Sequence, residues 1–98
     1  MKSFINYRQE RVKLSAGTWE HIQEVHSEIG QDQIGACLKD PDEVRRSRKN
    51  PASEIYYLLR IEKRYTCVVV KRCSDGNFIS TAMTTTKPKQ GEVLYKRL

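Results

Sequence analysis

The chain has 98 residues, of which 38% are hydrophobic and 31% charged, and its formal charge is +6. That size fits one domain with a modest core, and the periodic apolar blocks exclude a disordered chain. No run approaches the roughly 18 apolar residues of a membrane span, and "MKSFINYRQERVKL" lacks the apolar stretch of a secretory signal.

Cys37, Cys67 and Cys73 are odd in number and widely spaced. They argue against a disulfide framework and fit a reducing cytoplasm. With no CxxC pair a zinc site is not expected; there is no P-loop and no GxGxxG either, and no cofactor is expected.

Taken in chain order, "SFINYRQERVKL" reads as a short hairpin or extended arm, with the polar "RQE" as its turn. "SAGTWEHIQEVHSEIG" is the clearest helix. Ser15 is the N-cap, with Thr18 as a rival, and Gly30 closes it. Trp19, Ile22, Val25, His26 and Ile29 form its apolar stripe. A short second helix carries Ile34, Cys37 and Leu38, weakened by about 1 kcal/mol at Gly35. Pro41 closes this segment.

From Val44 the period becomes two. "VRRS" is a short strand and "RKNPAS" a turn. In "EIYYLLRI", Ile55, Tyr57, Leu59 and Ile61 are assigned to the core face. Tyr56, Leu58 and Arg60 are assigned to the open face. "EKR" turns the chain into "YTCVVVKR", a β-branched central strand. Asp75-Gly76 signals a hairpin into "FISTAMTTT", and after the basic loop "KPKQGEV" a last edge strand follows in "VLYKRL". The expected fold is α+β, with two N-terminal helices packed on one face of a curved antiparallel sheet of about four or five strands. Residues 1–98 form a single domain.

Charge is segregated along the chain: net +3 over residues 1–14, −6 over 15–43 and +9 over 44–98. An acidic layer against a basic one gives a dipolar field that orients a polyanion toward one side. The densest cluster is Arg45, Arg46, Arg48 and Lys49. If Val44 points into the core, Arg45 and Ser47 point to the open face. Two readings stand for the cluster. Basic residues blunt an exposed edge strand, or their guanidinium forks meet phosphate oxygens and stabilise a phosphorane.

His26 shares the apolar stripe, either as a helix-end histidine satisfied by a backbone carbonyl or as a general acid/base. His21 lies about 140° around the helix from it, so the two do not face one substrate. Tyr56 shares a face with Arg60, where an exposed ring stacks a nucleobase or packs the strand. Ser80 and Thr81 are read on opposite strand faces. Lys87 and Lys89 flank Pro88 in a loop.

"HIQEVHSEIG", "LKDPDEVRRS", "EIYYLLR", "CVVVK" and "FISTAMTTTKPKQGEVLY" together resemble the phage-type nuclease domains of the barnase–EndoU–colicin–RelE superfamily. The resemblance runs from about Arg11 to Tyr95. Its specific pieces are a helix-end His followed two residues on by Glu, the L..P..V..S segment, and a Thr-Ala strand followed by Lys-x-Gly. It implies helices on a curved antiparallel sheet and metal-independent RNA cleavage on the open face. It also implies roles for His26, Arg45, Ser47, Tyr57, Thr81 and Lys87. Two positions depart from the family's pattern: His26-Ser27-Glu28 stands for His-Pro-Glu, and Met83 stands for the aromatic of Thr-Ala-Tyr. The resemblance favours Tyr57 as the open-face tyrosine, against the strand alternation.

The function expected is a toxin-like endoribonuclease working by 2′-OH transesterification. His26, Arg45 and Thr81 are the catalytic candidates. Arg46, Ser47, Tyr56, Tyr57, Arg60, Ser80, Lys87 and Lys89 are the RNA contacts. The alternatives are a non-catalytic nucleic-acid-binding module, or a protein-interaction module whose basic face an acidic antitoxin or inhibitor covers.

Overall fold

The computed structural model describes residues 1–88 and 91–97. Strands β1 (Lys2–Ile5) and β2 (Arg11–Leu14) come first, then helices α1 (Ala16–Val25) and α2 (Gln31–Lys39). Strands β3 (Glu43–Ser47), β4 (Ser53–Leu59), β5 (Tyr65–Cys73), β6 (Gly76–Thr85) and β7 (Gly91–Lys96) follow. They form one seven-stranded sheet in the order β1-β2-β6-β5-β4-β3-β7. All neighbours are antiparallel except β2 and β6, which run parallel through Val12–Asn77 and Lys13–Phe78. The expected sheet of about four or five antiparallel strands behind two N-terminal helices is therefore corrected. Two strands precede the helices, and the sheet is mixed. The parallel β2–β6 pair and the antiparallel β3–β7 pair join segments far apart in sequence, and local periodicity carries no trace of such pairings.

Ser15 caps α1, its Oγ accepting from the Thr18 amide at 3.1 Å. The helix stops at Val25, where His26 is the C-cap, and Gly30 opens α2 instead of closing α1. Val25 is consequently exposed, while Ile29 is buried in the connection. At Gly35 an added Cβ would lie 3.2 Å from the Phe4 ring. The glycine that weakens α2 is what lets β1 pack against it.

The sheet has two apolar faces. On one, α1 and α2 cover Val12, Leu14, Val44, Tyr56, Val68, Val70, Ile79 and Ala82. On the other, Ile55, Tyr57 and Cys67 form a smaller cluster with Tyr65, Val69 and Met83. Arg45 pairs with Ile55 across the strands, so it belongs to this second, helix-free face. β3 lies between β4 and β7, so its arginines do not protect a sheet edge.

The β1–β2 turn reaches over the helix side. Tyr7 meets Tyr56 of β4 edge-on and Tyr95 of β7 at a 4.6 Å centroid distance. Arg72 holds both oxygens of Glu10 at 3.0 Å, and Arg8 bonds Glu54 at 2.7 Å. Charge-assisted pairs of this kind are the strong class of hydrogen bond. Among the described residues no helix is long and apolar enough to cross a membrane.

Candidate functional site

A polar cleft lies where α1 ends beside the β4–β5 turn and the end of β6. Two adjoining hollows share Glu28, Arg64 and Thr84. One, of about 480 Å³, adds Thr85 and Thr86; the other, of about 340 Å³, adds Arg60 and Glu62. His26 stands behind Glu28, its Nδ1 3.9 Å from Glu28 Oε2. The α1 C-cap thus positions an imidazole–carboxylate pair at the mouth of a cleft that carries two guanidinium side chains. A comparable hollow between β1 and α2, lined by Phe4, Ile5, Asn6, Gln9, Gly35 and Lys39, has no such pairing of acid, base and cation.

Arg60 and Arg64 are brought together by the turn itself. The Arg60 amide donates to the Arg64 carbonyl at 2.6 Å. Glu62 and Lys63 between them take φ of 61° and 62°, a left-handed backbone unusual for residues with a Cβ. Thr84 lies on the cleft wall, and its Oγ1 is buried with no hydrogen-bond partner among the described residues. An unpaired buried hydroxyl costs about 1–3 kcal/mol.

The other expected site residues are dispersed. Arg45 and Thr81 lie on the helix-free face. Arg45 is ion-paired to Glu43 at 2.9 Å, and Thr81 pairs in register with Val69. Tyr57 is on the same face but is wholly buried. Arg46 points to the helix side and pairs with Glu92 at 3.1 Å. Ser47 accepts from the Asn50 amide and so shapes the β3–β4 turn. Lys87 is exposed just beyond β6, its carbonyl accepting from Thr85 Oγ1. Lys89 lies outside the described residues. His21 is exposed on α1.

Two face assignments are corrected. Tyr56 is fully buried on the helix side, where its hydroxyl accepts from Asn6 Nδ2 at 3.0 Å. Burial first of all pushes its phenol up to about 12. Both faces of β4 are apolar, so alternation groups Ile55, Tyr57 and Leu59 correctly but does not say which group meets the helices. Ser80 and Thr81 do not take opposite faces. The register slips between Val69 and Val70, so Ile79 and Ala82 both enter the core with two residues between them. Ser80 is the inserted residue of the bulge and is exposed.

Of the expected set, Arg60 lines the cleft and His26 adjoins it only through Glu28, while Arg45, Tyr57 and Thr81 belong to the opposite sheet face. Glu28, Glu62, Arg64 and Thr84–Thr86 were not among the sequence candidates. The available signals were Glu28 two residues from His26, and Arg64 facing Arg60 across a three-residue turn. Among the described residues no group of three His, Cys, Asp or Glu side chains converges as metal ligands would. No protein-family model, no curated protein and no solved structure matches the chain. The functional reading rests on its own residues.

Proposed function

We propose that the chain is a metal-independent endoribonuclease whose reacting phosphate sits in the α1–β6 cleft. The observation that carries this reading is the meeting of His26–Glu28 with Arg60 and Arg64. Cleavage by transesterification needs a group to accept the 2′-OH proton and positive charge to stabilise the phosphorane. In this reading Glu28, at the cleft with His26 behind it, accepts that proton. The O2′–P bond forms as the P–O5′ bond breaks, and the 5′-oxygen leaves with a proton from water. Arg60 and Arg64 hold the equatorial oxygens. Thr84 Oγ1 supplies a donor to a phosphate oxygen once rotation about χ1 turns it into the cleft. The products are a 2′,3′-cyclic phosphate and a free 5′-hydroxyl.

A second reading is an RNA-binding module without cleavage. It is favoured by the separation of His26 from Arg45 and Thr81, which lie on different sides of the sheet. Incubation with labelled RNA in EDTA decides between the two. Cyclic-phosphate ends lost in Glu28→Gln and Arg64→Ala, with Arg45→Ala active, support the cleft. Salt-sensitive binding with no cut supports the module. Neither cleavage nor binding points to an acidic protein partner.

A further inference from the structure

The helix-free face carries a row of side chains that the cleft does not use. Along the β5–β6 seam, Lys71 pairs with Phe78, Val69 with Thr81, Cys67 with Met83 and Tyr65 with Thr85. Phe78 is half-buried yet belongs to neither apolar cluster. Lys13 Nζ lies 5.4 Å from its ring centroid, and the neighbouring Gly76 takes a φ of +138° that L side chains rarely adopt. At the other end Tyr65 is half-buried, edge-on to Tyr57 at 6.1 Å. The bulge places an exposed serine, Ser80, between them. Lys13 and Lys71 flank the Phe78 end, and Arg60 and Arg64 lie just past the Tyr65 end. Thr85, opposite Tyr65, also lines the cleft, so the row runs into it.

We propose that this seam is a stacking track for the unpaired bases of an RNA strand, with Phe78 and Tyr65 as its two platforms. The inference rests on the cleft reading, since it places the flanking nucleotides of the strand whose phosphate enters there. The seam is apolar where bases would lie and basic at both ends, as a polyanion with flat apolar faces requires. From Phe78 to Thr85 the strand spans roughly 20 Å, which suits the short end of single-strand sites on β-folds, about four nucleotides. A duplex keeps its base faces stacked internally and offers the platforms nothing.

The test uses a fluorescein-labelled 2′-O-methyl hexanucleotide, which binds but lacks the 2′-OH nucleophile, so binding is read apart from cleavage. Anisotropy is measured for the single strand, its duplex and polyglutamate. The proteins are wild type, Phe78→Leu, Phe78→Ala and Tyr65→Ala. Phe78→Leu keeps apolar bulk without the aromatic face and guards against a folding defect. Stacking is worth about 1–3 kcal/mol per base, so each variant should bind the single strand about fivefold to 150-fold more weakly. The wild type should prefer the single strand to the duplex. Equal binding of the duplex, unchanged binding by Phe78→Leu and Tyr65→Ala, or a preference for polyglutamate would each overturn the track. If the hexanucleotide binds as expected but unmodified RNA is never cut, the cleft reading fails and the track stands. If a dinucleotide is cut while the hexanucleotide ignores the aromatic variants, the track alone fails.

Discussion

Tyr56 and Tyr57 are neighbours in the chain, wholly buried, and on opposite faces of β4. The buried phenol of Tyr56 needs a polar partner, and Asn6 Nδ2 provides it while also holding Glu10 at 3.0 Å. Tyr56→Phe should cost about 1 kcal/mol in urea unfolding, whereas Tyr56→Ala should cost about 3–5 kcal/mol through the cavity. Glu10 gives the pH dependence. Hydrogen bonds from Arg72 first, then Asn6, lower its carboxyl from 4.5 to about 2. A carboxyl whose folded value is depressed stabilises fully above the unfolded value and loses that contribution as pH falls through the folded one. The urea midpoint should therefore drop between about pH 4.5 and 2, and Glu10→Gln should be less stable at neutral pH and show a shallower acid loss.

At the scale of elements, the β1–β2 hairpin is joined to the rest of the sheet by only two registered pairs. Its docking depends on Tyr7, Phe4 and the Glu10–Arg72–Glu54–Arg8 ion network. Units held by few backbone bonds open below the global unfolding free energy. Amides of β1 and β2 should thus exchange faster than those of β4 and β5, and more so in high salt. The β4–β5 turn stores strain at Glu62 and Lys63. Lys63→Gly should raise stability by about 1 kcal/mol, read from the urea midpoint. These elements also show what the sequence made legible. The hairpins, both helices and the Ser15 cap are local, and their patterns are readable. The places of β1, β2 and β7 in the sheet were hidden because they depend on pairing between distant segments. The phase of β4 was hidden because both faces of that strand are apolar. The bulge at Ser80 was hidden because nothing in "FISTAMTTT" marks an extra residue. In the candidate site, His26 and Arg60 were legible as residue types, but Arg64 and Thr84 joined them only through the turn and the end of β6.

For the whole molecule, the charge segregation of the chain is only partly a segregation of layers, because Arg8, Arg46 and Arg72 lie on the helix side in ion pairs with Glu54, Glu92 and Glu10. Glu20 and Glu24 of α1, Glu28 of the connection and Asp32 of α2 are exposed, while Arg11 and Lys71 are exposed on strands of the sheet. If RNA meets the basic side, its affinity should fall linearly in a log–log plot against salt, with a slope near 0.7 per phosphate neutralised on a single strand. Lys71→Ala should then lower that slope by about one contact and leave cleavage chemistry intact. The central claim is that the His26–Glu28 pair and the two turn arginines form a ribonuclease cleft. The most direct measurement is end-group analysis of RNA incubated in EDTA with wild type, Glu28→Gln, Arg64→Ala and Arg45→Ala. The account predicts 2′,3′-cyclic phosphate ends from wild type and Arg45→Ala, with at least a hundredfold loss in Glu28→Gln. Cleavage undiminished in both Glu28→Gln and Arg64→Ala, or no cleavage by the wild type, would contradict it.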